Sequence, residues 1–234
     1  MPHARYDGLA DWYDDWANGF VRPFAPVLAA RVAAFVDPGS TVLDIGCGTG
    51  LHFSALEAVK LHPLGVDLSA DQLGLARKRS AVIRADVAAL PVRDEAVEAA
   101  VTAFVHRDLD DFAGAVAEVA RVLRPRSRFV AVATHPCFVA PFINRTRERD
   151  LGKIEVRRGY GDTKRRFDSA APSRLASAVG SRNIPLAGFL DAFIGAGLRI
   201  ESLTELDTQA RPWVAESDDQ TILPWNILVV AAKS

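Results

Sequence analysis

Residues 42–50 read Val42-Leu43-Asp44-Ile45-Gly46-Cys47-Gly48-Thr49-Gly50. The apolar, β-branched run reads as a buried strand, and three glycines in five positions read as a tight turn. Leu51–Val59 then reads as a helix. Glycines let the chain turn sharply and let a ligand come close, and the N-terminus of the following helix offers unpaired N–H groups. In a parallel sheet this carboxyl edge is where ligands sit. The spacing is not that of a dinucleotide fingerprint, Gly-x-Gly-x-x-Gly, because the third glycine comes one residue early and position 51 is Leu. A nicotinamide oxidoreductase is therefore disfavoured.

The same alternation extends in both directions. Upstream, Leu9, Trp12, Tyr13 and Trp16 fall at near-helical spacing, and a second helix fills Pro26–Val36 before Asp37-Pro38-Gly39 stops it. Downstream, Leu64–Asp67 ends a strand, and Ser69 or Asp71 caps a helix running to Lys78. Ala81–Ala85 and Val97–Val105 are the third and fourth strands. Phe112, Val116, Val119 and Leu123 mark a helix face that Arg124-Pro125 ends, and Phe129–Ala133 is the fifth strand. The pattern breaks after Thr134 and resumes with a helix at Leu186–Ala196 and strands at Leu198–Leu206 and Trp225–Ala231. Strands alternating with helices imply an α/β, Rossmann-like, mostly parallel sheet with helices on both faces. We read a single domain over 1–234. It has an N-terminal helical lid (1–36), a ligand-binding core (40–134), an insertion after the fifth strand that forms a lid (135–184), and a segment completing the sheet (185–234).

The chain has 234 residues, 49% hydrophobic and 24% charged, which suits one large globular domain and excludes disorder, collagen and coiled coil as its main state. Its 28 basic and 29 acidic residues leave a net charge of −1, which disfavours a general nucleic-acid binder. Cys47 and Cys137 are too few for a disulfide scaffold or a four-thiolate zinc site, and no two histidines have the His-x-x-x-His spacing, so no metal is expected. Asp7, Asp11, Asp14 and Asp15 give the N-terminus none of the order of a signal peptide. No apolar run nears the ~20 residues of a membrane helix, so a cytoplasmic protein is expected, without a membrane partner.

Two carboxylates point to a nucleoside without a pyrophosphate. Asp67 closes the second strand, 17 residues after Gly50, where it can accept two hydrogen bonds from ribose hydroxyls. Asp86 closes the third strand, where it can hold an adenine amino group. With these in place the sequence resembles the class I S-adenosylmethionine-dependent methyltransferases of the small-molecule type. The resemblance rests on Leu43–Gly50, then Gly65-Val66-Asp67-Leu68-Ser69, Ala85-Asp86-Val87 with Leu90-Pro91, Leu109-Asp110-Asp111, and Glu118–Pro125. It covers residues 42–134, with weaker likeness at Tyr6-Asp7 and Tyr13-Asp14. It implies a seven-stranded sheet whose last strand is antiparallel, S-adenosylmethionine as cofactor and a small-molecule substrate. By the same resemblance, Gly46, Cys47 and Gly48 line the methionine moiety. Asp67 binds the ribose, Leu68 packs on the adenine, Asp86 and Val87 meet its edge, Phe104 begins the segment beneath the methyl group, and Tyr13 reaches in from the lid. The chain departs from the family at Arg126-Ser127, where Gly-Gly is usual, and only a structural effect is expected there. It also has Asn183 in Arg182–Leu186, where relatives carry a histidine, so no base is expected at that position.

His106 follows the fourth strand, where a methyl group would point, and is a candidate general base; a bond to the Arg107-Asp108 loop is an equal alternative. His135 ends the fifth strand on the same edge and is the second candidate, against the plainer reading of a rigid turn before Pro136. Substrate contacts are assigned to Trp16, Phe138, Tyr160 and Asn183, although Trp12 and Trp16 read first as lid core and only second as substrate stackers. From 144 to 174 ten basic residues face five acidic ones. That run reads first as a solvated face, and more sharply as a lid whose Arg157, Arg158, Arg165 and Arg166 attract an acidic substrate. The function expected is methyl transfer to a small molecule, a specialised metabolite, by in-line displacement. The alternatives are a protein of the same fold with other chemistry, such as a cyclase, and a nucleic-acid or protein methyltransferase. A homodimer is left open.

Overall fold

Each central strand is apolar on both faces, and the sheet buries accordingly. In a computed structural model, residues 4–139, 143–144, 155–156, 159–167, 174–210 and 223–234 are described. β1 (Thr41–Ile45), β2 (His62–Asp67), β3 (Ala81–Arg84), β4 (Val97–Ala103) and β5 (Leu123–Thr134) are parallel. β6 (Ile143–Asn144) and β7 (Glu155–Val156) form a separate antiparallel pair. β8 (Leu198–Leu206) and β9 (Asn226–Lys233) complete a seven-stranded sheet of order β3-β2-β1-β4-β5-β9-β8, with the last strand, β9, antiparallel to both its neighbours. The expected sheet is therefore the one found.

Side chains alternate between two cores, as the two-residue period of a strand demands. Leu43, Ala100, Phe129 and Val229 face one side; there α5 (Phe112–Val122) and the later helix at Leu186–Gly195 supply Val116, Val119, Phe189 and Phe193. Val42, Val101, Val130 and Leu228 face the other, against Leu28 and Val32 of α2 (Ala25–Ala33) and Leu56 of α3 (Phe53–Ala58). α1 (Ala10–Phe20) lies over the carboxyl edge, and α4 (Ala70–Ala76) starts at Ser69, whose hydroxyl accepts from the Gln72 N–H at 3.3 Å. Ser69, not Asp71, is thus the cap, which leaves the Asp71 carboxylate to accept from the Gly8 N–H.

Several boundaries differ from the sequence reading, most of them by one to three residues, and the junction of α5 with β5 differs most. α5 stops at Val122, before Arg124-Pro125, because Leu123 already pairs with Val97 as the first residue of β5. The turn that follows puts Arg126 at φ +66°, a left-handed conformation that a Cβ disfavours. The missing Gly-Gly thus appears as local strain. Arg126→Gly is expected to raise stability by about 0.5–1 kcal/mol in urea unfolding, the relief of strain exceeding the added chain entropy. A loss of stability would contradict this reading.

Candidate active site

The register of β1, β2 and β3 brings Ile45, Asp67 and Arg84 to one carboxyl edge, and the loops beyond them carry the site. The turn after β1 uses Gly46 at φ +64° and Gly48 at φ +55°. A Cβ on Gly46 would lie 2.6 Å from Val105 Cγ2, so the loop after β4 closes directly against this glycine. A Cβ on Gly48 would instead meet Gln72 Oε1 at 3.4 Å and Tyr13 Cε1 at 3.6 Å, side chains that border the same cavity as Gly48. Asp67 organises the edge: one carboxylate oxygen accepts from the Gly48 N–H at 2.9 Å and the other from the Ser69 N–H at 2.8 Å. Burial pushes its carboxyl up from the usual range, and these N–H bonds oppose the rise. Asp86 accepts from the Ala88 N–H at 3.0 Å, which fixes the loop after β3.

These residues border one cavity of about 780 Å³, open to solvent. Gly46, Gly48, Asp67 and Leu68 form its first wall, Asp86, Val87 and Phe104 its second, and Tyr13 its roof. Cys47 is the cofactor candidate that the fold does not bring there by its side chain. Its thiol packs beneath the loop with Phe53, Leu73 and Ala76, and burial pushes its pKa up, so it is a filler and no nucleophile. Residues 5–8 strap the cavity. The Gly8 N–H donates to Asp71 and Ser69 Oγ donates to Asp7, while Tyr6 Oη donates to Asp108 Oδ2 at 2.7 Å. Arg79 ties α1 down through Asp14 and the Thr49 carbonyl.

A second cavity, about 1100 Å³ and also open, adjoins the first. Tyr6, Tyr13, Phe104 and Asp108 border both. Trp16 and Phe20 extend an aromatic wall, with ring centroids 5.4 Å apart, and Phe20 continues to Phe104 at 5.2 Å. Arg107, Thr134, Arg166 and Ser181 are among the polar groups opposite. Phe104 sits at φ +63°, the strained turn that sends the chain from β4 along both cavities.

Residues 43–131 match the family profile described as a methyltransferase domain. Over 114 residues the chain is 33% identical to the demethylmenaquinone methyltransferase of Tropheryma whipplei, covering 46% of this chain and 48% of that protein. It is 30% identical over 147 residues to the demethylmenaquinone methyltransferase of Renibacterium salmoninarum, covering 59% and 61% respectively. The chain spans about half the length of the curated relatives it matches. The fold superposes on a crystal structure of an S-adenosylmethionine-dependent methyltransferase from Mesorhizobium loti at TM-score 0.67, with 22% identity, covering 87% of this chain and 96% of that one.

Residues 43–131 thus resemble methyltransferase domains, and the fold is that of the solved S-adenosylmethionine-dependent methyltransferase. S-adenosylmethionine, the cofactor named for that structural neighbour, fits the first cavity on three counts. The glycine loop leaves room where a Cβ would intrude on the cavity. Two strand-end carboxylates, Asp67 and Asp86, keep lone pairs beyond their backbone bonds. Gln72 is buried at the wall, and neither its Oε1 nor its Nε2 has a partner among the described residues. An unpaired buried amide is costly, and a polar ligand would satisfy it. Sequence reasoning missed Gln72, Tyr6 and Asp108 as lining residues.

The two histidine candidates sit elsewhere in the fold. His106 is buried against Phe112 and Phe189, with ring centroids 6.3 and 5.6 Å away, and its Nε2 lies 3.3 Å from Thr134 Oγ1. Burial lowers its pKa to about 3, so it is a neutral, weak base, and it borders neither cavity. Its partner is Thr134, not the Arg107-Asp108 loop. His135 also borders neither cavity. Its Nδ1 accepts from the Cys137 N–H at 3.1 Å, its Nε2 lies 3.1 Å from Glu205 Oε1, and its ring stacks on Phe138. One ring nitrogen braces the turn at Pro136, and the other reaches Glu205 of β8.

Of the assigned substrate residues, Trp16 borders the second cavity. Phe138 is taken up by His135. Asn183 is buried and donates to the Tyr160 carbonyl, while Tyr160 Oη accepts from the Leu186 N–H at 2.8 Å. These two therefore tie the insertion to the helix Leu186–Gly195. Arg166 borders the second cavity and pairs with Asp162, whereas Arg165 donates to the Asp108 carbonyl and to Asp110. Arg157 and Arg158 lie outside the described residues. Among the described residues no group of three or more metal-binding side chains occurs, and no helix is long and apolar enough to cross a membrane.

Proposed function

We propose that this chain transfers a methyl group from S-adenosylmethionine to a flat, largely apolar small molecule, a specialised metabolite, by in-line displacement. The observation that carries the reading is the pair of adjoining cavities that share Tyr6, Tyr13, Phe104 and Asp108. A cofactor in the first would meet an acceptor in the second only across these four residues. Relatives named demethylmenaquinone methyltransferases support an aromatic acceptor, and so does the wall of Trp16, Phe20 and Phe104.

The cofactor, when bound, supplies a methyl group already activated by its sulfonium. The chain's own task is then alignment and exclusion of water. Asp67 and Gln72 hold the cofactor's polar groups, Leu68 and Val87 flank its base, and Asp86 meets the adenine edge. Tyr13 and the 5–8 strap cover it. Residues 40–134 serve as the cofactor-binding core, with 1–36 and 135–184 closing over the acceptor.

Calorimetric titration with S-adenosylhomocysteine and, in parallel, NAD tests this. Micromolar binding of the former alone is expected, followed by transfer of labelled methyl to a panel of phenols and hydroquinones. NAD binding alone would overturn the cofactor. Homocysteine-product binding with transfer only to RNA, DNA or protein, or with no transfer at all, would overturn the acceptor class.

A further inference from the structure

Asp108 stands where the two cavities meet. One carboxylate oxygen, Oδ2, is held by Tyr6 Oη at 2.7 Å. The other, Oδ1, has no hydrogen-bond partner among the described residues. Its backbone is fixed as well: the carbonyl accepts from Arg5 Nη1 at 3.2 Å and from Arg165 Nη2 at 2.8 Å, and the N–H donates to the Val105 carbonyl at 2.8 Å. A carboxylate pinned on one oxygen and open on the other, at the boundary between donor and acceptor spaces, has the geometry of a proton acceptor.

Its surroundings indicate which acceptor. Arg107 immediately precedes it in the chain and borders the second cavity; Nε donates to the Arg182 carbonyl and Nη2 to Ser181 Oγ, leaving Nη1 without a partner among the described residues. A guanidinium beside the reacting group repels a cationic amine and favours an oxygen that gains negative charge. The aromatic wall on the other side suits a flat ring. Together these describe a phenol.

We propose that Asp108 is the general base that takes the proton from a phenolic hydroxyl of the acceptor, with Tyr6 as its positioning residue. This rests on the methyl-transfer reading above. The acceptor O–H bond breaks and its proton passes to Asp108 Oδ1. The oxygen's electron pair forms the bond to the methyl carbon, and the carbon–sulfur pair returns to sulfur. The products are a methyl ether, the neutral thioether and a protonated Asp108, which then loses its proton to water.

The titration of Asp108 agrees with the role. Burial raises its pKa to about 6, while the Tyr6 bond and the charges of Arg107, Arg165 and Arg5 oppose the rise. Tyr13 of α1 and Asp67 at the end of β2 also face this part of the site. The group is therefore ionised at neutral pH and more basic than an ordinary aspartate.

The test compares wild type with Asp108→Asn on 4-substituted phenols, from weakly acidic 4-methoxyphenol to 4-nitrophenol, which is largely ionised near pH 8. Calorimetric binding of S-adenosylhomocysteine is measured in parallel. The expected result is a loss of kcat/KM of about 10²-fold or more for 4-methoxyphenol. The loss for 4-nitrophenol should be less than about threefold, because a base has nothing left to remove from it. Product affinity should fall far less than turnover of 4-methoxyphenol, because asparagine keeps the volume and the acceptor for Tyr6 Oη. Equal losses on both phenols would show a structural role and overturn the proposal. Product binding without methylation of any phenol would overturn the acceptor class while leaving the cofactor standing, and absent product binding in wild type would overturn the methyl-transfer reading itself. If Asp108→Asn fails to fold, Tyr6→Phe serves: losing the bond to the ionised carboxylate should move the acid limb of the pH–rate profile upward, and an unmoved limb would count against Asp108.

Discussion

Asp67→Ala is expected to weaken S-adenosylhomocysteine binding by about 150- to 1000-fold in calorimetric titration. The estimate follows from two hydrogen bonds to a charged acceptor, each contributing about 1.5–3 kcal/mol, of which the lower part is taken because the carboxylate is already shared. Each oxygen of Asp67 accepts one backbone N–H, from Gly48 and from Ser69, and each keeps a lone pair directed at the cavity. Alanine therefore removes the ligand contacts and also frees the glycine loop. Asp67→Asn separates the two effects. It retains one acceptor oxygen and nearly the same volume, so a loss intermediate between wild type and Asp67→Ala is expected. Affinity within threefold of wild type for Asp67→Ala would show that the ligand does not use this edge, and the assignment of the first cavity would fail with it.

The contrast between the site residues that were legible in the sequence and those that were not has a physical basis. Gly46, Gly48, Asp67 and Asp86 each lie within three residues of a strand end, and a parallel sheet aligns its strand ends on one edge. Their convergence follows from the alternation of strand and helix alone. The resemblance then supplied what spacing could not, the identity of the cofactor. His106 and His135 sit at the correct edge too, but position along a strand does not fix the direction of a side chain in the loop beyond it. Phe104 turns the chain through a left-handed conformation, after which His106 falls among Phe112 and Phe189 while Asp108 reaches the cavities. No local pattern announces that turn at a phenylalanine. Tyr6 and Asp108 meet across 102 residues of sequence, and Asn183 reaches Tyr160 across a stretch with little periodicity. Contacts of that kind depend on how the lid and insertion pack, and single-sequence patterns carry little of it. Gln72 is a different case. Its place in the first turn of α4, after the strand that ends at Asp67, was available as a signal, and a polar residue on the inward face of a short helix could have been read as a ligand contact.

The buried imidazole of His106 carries the second large expectation, for stability and not for turnover. Its folded-state pKa is lowered to about 3 by burial, whereas an unfolded histidine titrates near ~6.5. Between these values the unfolded chain binds the extra proton and the native state does not, so stability falls as pH drops through this window and is fully recovered above it. From pH 7 to pH 5 this group alone should remove about 2 kcal/mol. Asp108 acts in the opposite direction over part of the same range, because its raised pKa makes the native state the better proton binder there. The wild-type curve therefore shows the difference of the two, and the informative quantity is a comparison of variants. His106→Gln keeps a polar partner for Thr134 Oγ1 in a side chain that does not titrate. Urea unfolding of both proteins at pH 7 and pH 5 should show His106→Gln losing about 2 kcal/mol less than wild type on acidification, with the contribution of Asp108 common to both. Methyl transfer at pH 8 should stay within a few-fold of wild type, since His106 borders neither cavity. An unchanged acid sensitivity would mean that the imidazole reaches solvent in the native state. A large loss of transfer with stability preserved would return His106 to the catalytic machinery.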